Sequence, residues 1–106
     1  MNNLTLVDLF LNEYWIEKGL SENTVQSYRL DLTALCDWLD KQNLSLETLE
    51  SLDLQQFLGS RLEQGYKATS TARMLSAMRK LFQYLYREKY RTDDPSAVLS
   101  SRSEER

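Results

Sequence analysis

Apolar residues recur at alternating steps of three and four along successive stretches of this 106-residue chain. That spacing follows the 3.6-residue turn of an α-helix and not the two-residue repeat of a strand. The clearest series is Val25, Tyr28, Leu32, Leu35 and Leu39. Three Gly and one Pro leave few breakpoints, so the helices are long and the turns short. The pattern predicts helices over about 4–18, stopped by Gly19, and over about 21–41, with Ser21 as N-cap. A third runs over 52–64, capped by Ser51 and ended by Gly65. A fourth runs over 70–89, with Thr69 as N-cap. Ser45 to Leu49 reads as a turn or a single helical turn, and Asp94-Pro95 opens a short helix through Leu99. No segment has a strand pattern and no repeat is present. The fold class is all-α: a compact bundle of four helices plus a short C-terminal helix.

Each helix offers one face to a core. Val7, Leu11, Tyr14 and Trp15 serve the first, and Leu54, Phe57, Leu58 and Leu62 the third. Leu75, Met78, Leu81, Phe82 and Leu85 serve the fourth. Trp38 and Cys36 border the stripe of the second, so both read as packing residues, Cys36 as an inert thiol. A chain this long builds one core and one domain. No apolar run approaches the roughly 20 residues needed to span a bilayer. The N-terminus lacks the basic region of a secretory signal, and one cysteine fits a reducing compartment; the expected location is cytoplasmic. Histidine is absent, which removes the commonest general base and metal ligand. No catalytic residue, metal site or cofactor is expected.

Charge is segregated. Residues 67–91 carry seven basic residues and one acid, Glu88, whereas residues 1–66 carry four basic residues and eleven acids. The net charge of −3 therefore conceals a strongly positive segment, and binding responds to the local field of a surface. Projecting the fourth helix at 100° per residue places Thr69, Arg73, Ser76, Lys80, Gln83 and Arg87 along one stripe opposite its core face, with Arg79 flanking it. A basic helix face is ordinarily a solvated one, interspersed with acids in i,i+4 pairs. Acids are missing from this one. Arg and Lys reach phosphates or guanine edges, Gln reads adenine, and Ser or Thr reads either, so the stripe holds what a major-groove helix needs. Lys67, Thr69, Ser70 and Thr71 gather at the N-terminus of this helix, where free N–H groups favour phosphate. The second helix opens similarly, with Ser21, Asn23, Thr24, Gln26 and Ser27, then Arg29. The acids Asp31, Asp37, Asp40, Glu47, Glu50 and Asp53 read as a solvated surface that repels DNA.

Motifs in order and spacing narrow this further. Ser21-Glu22-Asn23-Thr24, Tyr28, Asp31-Leu32 and Trp38-Leu39 are followed by Gly65-Tyr66-Lys67-Ala68-Thr69-Ser70. Ala72-Arg73, Leu75-Ser76-Ala77, Arg79, Leu81-Phe82 and Tyr84-Leu85 continue the series, and Asp93-Asp94-Pro95-Ser96-Ala97 closes it. Over residues 4–99 this order resembles the N-terminal core-binding, SAM-like domain of tyrosine site-specific recombinases, the phage-integrase family.

The resemblance implies one half of a C-shaped clamp around duplex DNA, its second and fourth helices lying across the major groove of a recombination core site. It implies DNA contacts at Asn23, Thr24 and Arg29, and at Lys67, Thr69, Arg73, Ser76, Arg79 and Lys80, to which the helix N-terminus adds Ser70 and the helical stripe Arg87 as expected contacts. Partner recombinase protomers in a synaptic tetramer would be met partly through the first helix; no membrane and no small-molecule cofactor are expected. The family's catalytic Arg, Lys, His-x-x-Arg and nucleophilic Tyr belong to a second domain, expected to be absent here. The expected organisation is a core-binding domain over 1–99 and a linker or non-native tail over 100–106. A helical interaction module with a basic face for an acidic protein is the alternative.

Overall fold

In a computed structural model describing residues 2–99, the helices are α1 (Asn3–Lys18), α2 (Glu22–Lys41), α3 (Ser51–Glu63) and α4 (Ala68–Arg87), followed by a 3-10 helix, Pro95–Leu99. No strand occurs among the described residues. The stretch 100–106, read from sequence as a tail, lies outside them. The all-α bundle with a short final helix is thus observed, though that helix winds as 3-10 and not as α.

The termini show local chemistry setting the bounds. Asn2 caps α1 by accepting the Leu4 N–H at 2.7 Å. Gly19, at φ 61°, ends it in the left-handed region, its N–H donating to Trp15 O at 2.9 Å. Ser21 caps α2 as expected, accepting the Thr24 N–H. The start of α3 differs from expectation. Its cap is Glu50, whose N–H donates to the Asp53 carboxylate at 2.9 Å, so Ser51 is already helical. Likewise α4 begins two residues early. Lys67 is the extended cap residue, its C=O accepts the Thr71 N–H, and Thr69 lies inside the first turn without capping it. The helix ends at Arg87, because Lys89 takes a left-handed φ of 68°. Asp94 does cap the closing turn, accepting from the Ser96 N–H at 3.0 Å and its hydroxyl at 2.6 Å.

The core joins Leu6, Val7, Phe10 and Leu11 of α1 to Val25, Leu32, Leu35, Cys36 and Leu39 of α2, and to Leu54 and Phe57 of α3. Met74, Ala77, Met78, Leu81, Phe82, Tyr84 and Leu85 complete it from α4, while Leu46 and Leu49 close it from the α2–α3 turn. Three expected core residues fall outside. Trp15 is 42% exposed and Leu62 is 53% exposed, and Leu75 is only half-buried. Each lies about 100° from the centre of its helix's buried face. On α3 that centre belongs to Arg61, which is 6% exposed, its guanidinium 4.1 Å from the Tyr66 ring centroid. Trp38 packs as expected, 5.5 Å from Phe57.

Candidate nucleic-acid interface

Two contacts of helix α4 with its neighbours determine which of its cations remain available. Near its start, Arg73 meets Asp31 of α2. Nε lies 2.8 Å from one carboxylate oxygen and Nη2 3.1 Å from the other. The Asp31 side chain is 6% exposed and that of Arg73 53%. This overturns the reading of Asp31 as a solvated acid. It sits on the α2 face turned toward α4, next to buried Leu32, where a guanidinium matches both its oxygens. The hydrogen bond to Asp31 and its charge raise the Arg73 pKa above its ordinary value, so the cation is permanent.

Further along, Tyr84 packs against Phe10 of α1, ring centroids 5.6 Å apart. Desolvation pushes its phenol up to about 12, leaving it neutral at physiological pH. One turn on, Arg87 donates to Glu13 of α1 at 3.0 Å and lies 3.7 Å from Glu17 and 3.3 Å from Glu88. The stripe is therefore acid-free only along its own helix. Tertiary packing supplies acids at Arg73 and Arg87, and Asp8 of α1 does the same for Arg29 of α2.

Between these contacts, Ser76, Arg79, Lys80 and Gln83 line one wall of a groove of about 540 Å³, with Glu13 and Glu17 of α1 on the other wall. Among the described residues Arg79 and Lys80 form no ion pair, and neither does Lys67 at the start of α4. Thr69 and Ser76 are exposed. Ser70 is half-buried, its hydroxyl accepting from Arg61 Nη2 at 3.3 Å. At the start of α2, Asn23 is exposed and the Thr24 hydroxyl lies 3.1 Å from that of Ser21. The expected residues thus fall into three groups: unneutralised cations (Lys67, Arg79, Lys80), paired arginines (Arg29, Arg73, Arg87), and small polar residues at two helix N-termini or along α4.

Arg91, counted with the positive segment, does not reach this surface. It is 8% exposed. Its guanidinium donates to Leu46 O at 2.9 Å and Leu49 O at 2.8 Å, binding the α2–α3 turn to the end of α4. Sequence reasoning also missed Asp31 and Arg61 as buried polar residues. The signal for Arg61 was its place between Leu54, Phe57 and Leu58 on the apolar stripe.

Residues 7–89 match the phage integrase, N-terminal SAM-like domain family. The chain belongs to that family. Among similar proteins is the tyrosine recombinase XerD of Haemophilus influenzae, 88% identical over 101 residues, 95% of this chain and 34% of that protein. XerD of Pasteurella multocida is 75% identical over the same shares. XerD of Yersinia pestis is 60% identical over 91% of this chain and 32% of its own. This phage-integrase SAM-like domain therefore spans about a third of the length of the curated relatives it matches. No helix among its described residues is long and apolar enough to cross a membrane.

Proposed function

We propose that this chain is the DNA-gripping domain of a XerD-like tyrosine recombinase, one half of a clamp that holds duplex DNA through α2 and α4. The observation that carries the reading is the middle of α4: two unneutralised cations, Arg79 and Lys80, beside Ser76 and Gln83 on one open groove wall. Lys67 and the hydroxyls of Thr69 and Ser70 extend it to the helix N-terminus, and Asn23, Thr24 and Arg29 add the α2 contribution. Cations without counter-ions release bound salt from DNA on contact, and small polar side chains between them reach base edges. Residues 1–99 constitute this domain. In the family, cutting and rejoining through a 3′-phosphotyrosyl link falls to a second domain. The proposed setting is site-specific recombination in the cytoplasm, resolving chromosome dimers at cell division in a synaptic tetramer with XerC-like protomers.

The test is affinity for duplex DNA across a salt series. Affinity should fall steeply and log-linearly as salt rises. Binding indifferent to salt sinks the electrostatic grip. A gel shift with duplex run beside one with an acidic peptide separates this function from that of a module for an acidic protein.

A further inference from the structure

We propose that Asp31 is a positioning residue for base recognition, locking Arg73 so that it reads a guanine and does not merely attract phosphate. The proposal rests on the DNA-gripping function above and adds a residue and a division of labour to it. Asp31 occupies Nε and one N–H of Nη2, the side-on fork of the guanidinium. Nη1 and the second N–H of Nη2 form the end-on fork, and among the described residues neither Asp31 nor any other carboxylate binds Nη1. Two parallel bonds to a buried carboxylate fix the plane of Arg73. Half of its side chain remains exposed, on the stripe shared with Thr69 and Ser76. A fixed planar fork is what the O6 and N7 of guanine require, whereas phosphate accepts an unoriented cation. The charges agree: with Asp31 in contact, the pair is neutral and adds little to counter-ion release, a role left to Arg79 and Lys80.

The experiment enriches duplexes from a random-sequence pool on this chain and replaces each guanine in turn by 7-deazaguanine, which lacks the N7 acceptor. Wild type, Asp31→Asn and Arg73→Lys are compared by fluorescence anisotropy. Swapping the base pair that Arg73 reads should cost wild type roughly 5- to 150-fold in affinity, and 7-deazaguanine there a large part of that. Both variants should lose that penalty and keep the penalties at all other pairs. Asp31→Asn also removes a negative charge and tightens binding to every duplex, so the ratio between duplexes is the readout. An Asp31→Asn penalty profile equal to that of wild type overturns the proposal, leaving Asp31 a counter-ion. Should Asp31→Asn fail to fold by circular dichroism, the Arg73→Lys profile decides: no guanine sensitive in wild type and insensitive in that variant is equally fatal. Salt-dependent binding with a flat 7-deazaguanine scan overturns this inference alone. Failure of folded wild type to bind any duplex overturns the gripping function with it.

Discussion

Asp31 and Arg73, 42 residues apart, meet through two hydrogen bonds of 2.8 and 3.1 Å, the carboxylate buried and the guanidinium half in water. That asymmetry makes the two deletions unequal. Arg73→Ala strands a carboxylate in the α2–α4 seam, whereas Asp31→Ala leaves a guanidinium that water already reaches. Arg73→Ala should lower unfolding stability by about 2 kcal/mol and Asp31→Ala by about 1. Urea titrations at neutral pH check this, and equal losses contradict it.

Arg91 should matter to stability and not to DNA. Its removal leaves the carbonyls of Leu46 and Leu49 buried without donors. Arg91→Ala should cost about 3 kcal/mol, a fall in Tm of about 15 °C for a domain of this size. Lysine cannot restore the loss, since one ammonium does not reproduce a fork spanning two carbonyls. DNA affinity, corrected for the folded fraction, should stay at the wild-type value.

Lys80 and Arg87 share the α4 stripe but not its chemistry. Lys80→Ala should weaken all duplexes alike and flatten the salt slope by about one. Arg87 is shared among Glu13, Glu17 and Glu88, so Arg87→Ala should change the slope by less. Conversely, the double change Glu13→Gln and Glu17→Gln leaves Arg87 with Glu88 as its one remaining acid and should tighten binding at low salt. Slopes from anisotropy titrations distinguish these outcomes.

Cys36 is fully buried, and desolvation first, then Asp40, Asp37 and Asp8, push its thiol from 9.0 up to about 12. It should resist thiol reagents at pH 8 in the folded chain and react readily in urea. Tyr84 is also raised to about 12, from 10.0. For both groups the folded pKa exceeds the unfolded one. Their contribution is thus complete below about pH 9 and lost as pH rises toward 12. Stability measured over pH 8–12 should stay level to about pH 9 and fall above it; a flat profile would show that neither proton is held by folding.

The four helices were legible in the sequence because a 3-4 apolar spacing and Ser, Gly and Pro signals are local properties. Ser21 and Gly19 act where the pattern places them. The misplaced bounds have local causes as well: Thr69 is a good cap residue that the chain passes over, because Lys67 already takes the extended conformation. Burial at the edges of helix faces was less legible. Trp15 and Arg61 exchange the roles their hydrophobicity suggests, since a helix face has a centre and only tertiary packing locates it.

The sequence by itself determined the all-α class, the family and the positive segment around α4, all properties of residue order along one helix at a time. Only the tertiary structure decided which positive charges remain available. Helices α1 and α2 bring Glu13, Glu17 and Asp31 to Arg87 and Arg73 from 42 to 74 residues away, leaving Arg79 and Lys80 unneutralised between them. Coulomb energy depends on distance through space, and distance along the chain does not encode it.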